Sequence, residues 1–237
     1  MRIIVRLDIK NNFVIKGINL EGLRKVGDPS ELLVKYYHEG ADEILLIDAV
    51  ASLYGRNNLF KIIEKVVTKT FIPITLGGGI RSIDDIKKAL DSGVDKIALN
   101  THATENPKII EKAVNLFGSS TIMINIDAKK IHSDEWEVYK NYGREKTGLN
   151  VKNWIKLIQE LGCGEILLTS IDNEGLEKGY DIQLLEYIYD EIKVPLIISG
   201  GCGSKNDVDY IKKKFPNVSV SMASILHYNK HKIKDLR

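Results

Sequence analysis

Short runs of β-branched and apolar residues alternate along this chain with longer stretches whose apolar positions recur every three to four residues. The runs at 2–8, 43–48, 72–76, 96–100, 121–126, 165–170, 195–199 and 218–222 predict strands. The stretches at 30–39, 58–69, 82–92, 105–116, 151–161, 181–192 and 204–215 predict amphipathic helices. Strand–helix–strand alternation is the rhythm of a parallel sheet. Runs as uniformly apolar as Ile44-Leu45-Leu46-Ile47 expect cover on both faces. Pro73 and Pro195 stand at strand starts, where proline is tolerated. Eight such strands in 237 residues fit one α/β domain over 1–237, a closed (β/α)8 TIM barrel.

The pattern also repeats. RIIVRLDIK at 2–10 matches TIMINIDAK at 121–129, and DEILLIDAVASLYG at 42–55 matches GEILLTSIDNEGLEKG at 164–179. IPITLGGGIRSIDDIKKAL at 72–90 matches VPLIISGGCGSKNDVDYIKKK at 194–214. The steps from Asp8 to Asp127, Glu43 to Glu165 and Gly78 to Gly200 are 119, 122 and 122 residues. Three blocks in one register predict a barrel built from two similar half-barrels.

Active sites of such barrels collect at the C-terminal ends of the strands. Asp8 closes the first strand and Asp127 the fifth, on opposite sides of the mouth. One strand-end carboxylate is as readily a helix cap; two related by the repeat point to an acid/base pair. Gly77-Gly78-Gly79 follows the third strand and Ser199-Gly200-Gly201-Cys202-Gly203 the seventh. Glycine lets backbone N–H groups approach an anion, and a following helix start adds its positive end. The fourth strand ends in Asn100-Thr101 and the eighth in Ala223-Ser224, beside those loops. Two phosphate cups result, one per half, for a small molecule phosphorylated at both ends.

Side chains alternate along a strand. If Asp8 faces the axis, so do Arg6, Ile4 and Arg2; the same parity carries Asn100 to Lys96 and Thr169 to Glu165. With Glu43 at the start of the second strand, Arg2, Glu43, Lys96 and Glu165 ring the floor of the barrel. Buried charges persist when paired. The ring reads either as a structural plug or as the gate of an axial channel.

Composition narrows the classes further. With 43% hydrophobic and 28% charged residues the chain can bury a full core. A net charge of +2 argues against a nucleic-acid partner. No apolar run reaches the roughly 18 residues of a membrane span, and the chain enters its first strand without a signal-peptide core. The expected location is the cytoplasm. Cys163, Cys202 and five histidines without ligand spacing suggest neither a disulfide framework nor a metal site. EWEVYKNYGREK at 135–146 predicts a β-hairpin after the fifth strand.

Over nearly its whole length the chain resembles the cyclase subunit of imidazole glycerol phosphate synthase. The matching segments are RLDIKNNFVIKGINLEGLRKVGDP (6–29), DEILLIDAVAS (42–52), PITLGGGI (73–80), DKIALNTHATENP (95–107), IDAKK (126–130), GEILLTSIDNEG (164–175) and ISGGCG (198–203). The resemblance implies a partner glutaminase docked on the bottom face, whose ammonia rises through the ring of Arg2, Glu43, Lys96 and Glu165. It implies reaction with a bisphosphorylated ribotide, giving imidazole glycerol phosphate and an aminoimidazole ribotide, without metal or organic cofactor. Asp8 and Asp127 fall on the family's two catalytic aspartates and Lys16 on a mobile-loop lysine beside the substrate. Gly79, Asn100, Thr101, Thr169, Ser199, Gly200, Gly201, Ala223 and Ser224 fall on substrate or phosphate positions, next to Gly78. Glu174, also placed at the substrate, stands where the family has aspartate.

Other departures are Arg6 and Asn125 in place of small residues, Asn11-Asn12 in place of an acidic-glycine turn, and a degenerate last unit, FPNVSVSMASILHY. They fit a paralogue that passes ammonia to a separate amidotransferase of surface-sugar synthesis. Two further readings are a ribotide isomerase, which needs no ammonia, and a barrel that only holds a partner.

Overall fold

The structure is a computed structural model that describes residues 1–51 and 59–237. The end of the first-half repeat block at 52–55 and the first residue of the helix expected over 58–69 lie outside the described residues. Strand β1 (Ile3–Lys10) runs into an antiparallel hairpin, β2 (Phe13–Ile18) and β3 (Glu21–Gly27), followed by α1 (Pro29–His38) and β4 (Glu43–Asp48). Next come α2 (Phe60–Val66), β5 (Ile74–Gly77), α3 (Ile83–Asp91), β6 (Lys96–Leu99), α4 (Thr101–Glu105) and α5 (Lys108–Phe117). The second half is β7 (Ile122–His132), hairpin strands β8 (Glu135–Lys140) and β9 (Glu145–Asn150), α6 (Val151–Glu160) and β10 (Glu165–Ser170). It ends with α7 (Ile182–Ile188), β11 (Leu196–Ser199), α8 (Lys205–Lys214), β12 (Val218–Met222) and α9 (Ser224–His227).

Strands β1, β4, β5, β6, β7, β10, β11 and β12 pair in parallel in that order, and β12 closes on β1. This is the expected (β/α)8 barrel. Outward residues such as Val5, Leu7, Ile124 and Ile198 pack under the helices. Inward residues Ile4, Leu45, Met123, Leu167 and Ile197 fill the barrel itself.

The halves share their local devices. Asp28 caps α1 by accepting from Ser30 N and Glu31 N; Asn150, 122 residues on, caps α6 by accepting from Lys152 N and Asn153 N. Ser82 with Asp85 and Ser204 with Asp207 form capping boxes at α3 and α8, again 122 residues apart. Each satisfies backbone donors that a helix start leaves open.

Three expectations change. The segment after β1, expected as a mobile loop, is a paired hairpin, the counterpart of β8–β9. The helix expected over 105–116 begins only at Lys108, and a separate short helix, α4, precedes it, because Asn106 before Pro107 is pushed out of helical geometry (φ −140°, ψ 80°). The helix expected over 181–192 stops at Ile188 and passes into a 3₁₀ turn at Tyr189–Glu191.

Candidate active site

The barrel carries both aspartates on opposite walls, since β7 is four strands from β1 in either direction around the ring. Both are 1% exposed. Their surroundings differ. Asp8 Oδ1 accepts from Arg6 Nε at 2.8 Å, and Arg6 Nη1 donates to Thr169 Oγ1 at 2.9 Å, so the guanidinium links β1 to β10 inside the barrel. Among the described residues Asp127 has only neutral amide donors: Asn125 Nδ2 on Oδ1 and Asn100 Nδ2 on Oδ2, each at 3.3 Å. Burial pushes the Asp127 carboxyl up to about 6; Arg6 and Asn125 pull it back and Asp8 pushes it further.

Tyr142 completes this layer, a residue that the sequence pattern does not mark. It follows β8 in a turn where Asn141 and Tyr142 both take positive φ (54° and 60°). The ring lies 6.0 Å from the Arg6 guanidinium carbon and 5.5 Å from that of Arg144. Burial and the charge of Asp8 hold its hydroxyl well above the usual range, though it completes no hydrogen bond with Asp8 Oδ2. The signal available in the sequence was Gly143, which ends a tight turn carrying an aromatic to the mouth.

The predicted anion-binding residues gather in two places. Gly78, Gly79, Asn100 and Thr101 line one cavity of about 180 Å³ together with Asp127 and Tyr142. Ser199, Gly200, Gly201, Ala223 and Ser224 line a second, of only about 10 Å³. The two walls are built alike. Gly78 and Gly200 have φ of 94° and 99°, and a Cβ on either would run into the carbonyl of Asp48 or Ser170. Asn100 and Ala223, which precede α4 and α9, share an uncommon conformation near φ −140° with negative ψ.

An ion pair lines the second cavity. Lys16 sits on β2, 3% exposed, and its ammonium meets Glu174. Burial pulls the lysine down to about 8, with Arg6 lowering it further and Asp8 opposing. The lysine expected on a mobile loop is therefore a buried strand residue. Asp8 and Thr169 line neither cavity and lie with Arg6 in the wall between them.

At the floor, Arg2 bonds Glu43 at 2.7 Å and also reaches Glu165, while Lys96 bonds Glu43 at 3.0 Å and Glu165 at 2.7 Å. Thr75 Oγ1 donates to Glu43 at 2.7 Å. Each cation bridges both anions, which is the pairing a buried charge ring requires. Among the described residues no group of three or more His, Cys, Asp or Glu is placed to hold a metal, and no helix is long and apolar enough to cross a membrane.

Fold and site together define a half-barrel-duplicated (β/α)8 protein with an aspartate and a glycine turn in each half. The chain belongs to the histidine biosynthesis protein family, whose model matches residues 2–232. The imidazole glycerol phosphate synthase subunit HisF of Legionella pneumophila is 49% identical over 203 residues, 86% of this chain and 96% of that protein. The subunit of the same name from Bacillus cereus strain AH187 is 44% identical over 236 residues, covering 100% of this chain and 94% of its own. The resemblance read in the sequence is borne out at the level of the family.

Proposed function

We propose that the chain is the cyclase subunit of a glutamine-dependent imidazole glycerol phosphate synthase, working in the cytoplasm beside a glutaminase seated on the floor of the barrel. Ammonia enters past Arg2, Glu43, Lys96 and Glu165. The ribotide spans the mouth, one phosphate on Gly78, Gly79, Asn100 and Thr101, the other on Ser199, Gly200, Gly201, Ala223 and Ser224. Asp8 and Asp127 are the two carboxylates that assist ammonia attack, C–N cleavage and ring closure. Lys16 and Glu174 stand at the second phosphate and Thr169 beneath the reacting centre. The observation that carries this reading is the pair of equivalent glycine turns flanking two inward carboxylates; the full-length relatives support it.

The test is turnover of the ribotide with ammonium salt as nitrogen donor, which needs no partner. The expected result is ammonia-dependent cleavage, reduced at least about a hundredfold in Asp8→Asn and in Asp127→Asn. Unchanged rates in both variants remove the assignment, and turnover without ammonia points to an isomerase. A barrel that passes ammonia onward to a sugar amidotransferase is not favoured, because the relatives carry the synthase name; glutaminase binding with no ribotide cleavage would be its signature.

A further inference from the structure

Arg6 is the largest polar side chain wholly buried in the barrel, at 1% exposure. Its Nε donates to Asp8, its Nη1 to Thr169, and its face lies toward the Tyr142 ring. A guanidinium in such a place requires an anionic partner, and Asp8 is the carboxylate in contact with it. Asp8 is also withdrawn from the open cavity, whereas Asp127 lines it. The two aspartates that the repeat makes equivalent are therefore unequal in both charge pairing and access.

We propose that Arg6 divides the labour between them: it holds Asp8 as a fixed counter-ion and leaves Asp127 as the carboxyl group that gives and takes the proton. The inference rests on the cyclase reading and assigns the roles within it. The nitrogen supplied by ammonia, already bonded to the same carbon, forms a C=N bond with its lone pair as the substrate C–N bond breaks; the pair of the broken bond passes to the departing nitrogen, and that nitrogen takes the proton of Asp127. The Asp127 carboxylate then accepts a proton from the nitrogen supplied by ammonia, which restores the acid. Asp8 stays bound to Arg6 and takes no part in the transfer.

The surroundings of Asp127 suit a group that cycles between two protonation states. Its hydrogen bonds at 3.3 Å come from neutral amides. The charged and titratable groups facing it are Arg6 and Asp8 from β1 and Tyr139 and Tyr142 from the second hairpin. Across the cavity stand Asp48, Arg81, His102 and Glu105. Burial outweighs the lowering by Arg6, so Asp127 titrates at about 6, where a general acid retains proton-transfer power near neutral pH.

The test is direct titration of the full-length chain carrying ¹³C-labelled aspartate, followed by NMR, with ammonium-supported turnover measured across the same pH range. The expected result is one carboxyl titrating near about 6 that vanishes in Asp127→Asn. In Arg6→Met it moves up by about one pH unit or more, as loss of a nearby cation dictates, and Arg6→Lys, which keeps the charge, returns it toward the wild-type value. The turnover profile should shift upward with it. A titration that survives Asp127→Asn, or that Arg6→Met leaves in place, overturns the proposal. Titration as expected without any turnover upholds the division of charge and strikes the cyclase reading instead.

Discussion

The two half-barrels share a backbone and differ in what occupies it. The same 122-residue step relates their capping boxes and glycine turns, and an equivalent hairpin rises from the first strand of each. Yet the first-half cup is an open cavity of about 180 Å³, and the second, lined in part by the Lys16–Glu174 pair, is about 10 Å³. Likewise Asp8 is paired with a guanidinium and Asp127 with two amides. A duplicated fold sets where functional groups stand. The side chains around them set their charge and access.

The largest effect should come from separating the aspartates by stability. Asp8→Ala leaves Arg6 as an uncompensated buried cation and should cost about 3–5 kcal/mol. Asp127→Asn should act in the opposite direction. Its folded value of about 6 lies above the unfolded 3.8, so the ionised form is disfavoured by folding. The difference of about two pH units corresponds to roughly 3 kcal/mol. That cost is absent below about pH 4 and complete above about pH 6. Wild type should therefore gain stability relative to Asp127→Asn as pH falls through this window, and the variant should be the more stable of the two at pH 7.5. Urea unfolding from pH 4 to 8 measures it; variants that lose stability equally at every pH dissolve the contrast.

The glycine turns should give a smaller, nearly matched pair. A Cβ at Gly78 would stand 2.4 Å from the Asp48 carbonyl oxygen, and one at Gly200 would stand 2.8 Å from that of Ser170, both at positive φ. Alanine at either position should cost about 1–3 kcal/mol, through clash and backbone strain together. Gly118 is the control: its φ is +85° but nothing lies within 4 Å of the added carbon. Gly118→Ala should cost only the strain, about 1 kcal/mol. Thermal unfolding that ranks Gly118→Ala with the other two shows that the tight approach to β4 and β10 contributes nothing.

The fold was legible because strand and helix periods differ and because the same blocks recur in register. The site was legible where chemistry sits at the ends of the parallel pairing: Asp8 and Asp127 each stand one residue before it stops, although β1 and β7 run on into their hairpins, and both glycine turns follow their strands. Strand parity likewise placed Arg2, Glu43, Lys96 and Glu165 in one ring. The hairpin after β1 escaped because Asn11-Asn12 reads as a loop, although Asn11 at φ 56° is the tight turn that joins β1 to β2. The burial of Lys16 depends on a long-range partner 158 residues away, and no local pattern announces such a pair. Tyr142 escaped for a related reason: its place at the mouth follows from two consecutive left-handed residues, which a sequence period does not reveal.

The last difference to probe is the occupancy of the cups by inorganic phosphate. The open cup at Gly78 and Asn100 has room for an anion without rearrangement, while the other must first part Lys16 from Glu174. Glu174→Gln removes the competing carboxylate and leaves the Lys16 ammonium to meet the phosphate. Binding at the second cup should then tighten about tenfold, equivalent to about 1.4 kcal/mol, with the first cup unchanged. The gain should also depend on pH. Lys16 carries its charge below about 8 and loses it above, so phosphate affinity at this cup should fall as pH rises through that value. Calorimetric titration of wild type and variant at pH 7 and pH 9 reads both effects. A variant that binds phosphate no better than wild type at pH 7 means that Glu174 does not close the cup, and the contrast between the halves then lies in the backbone after all.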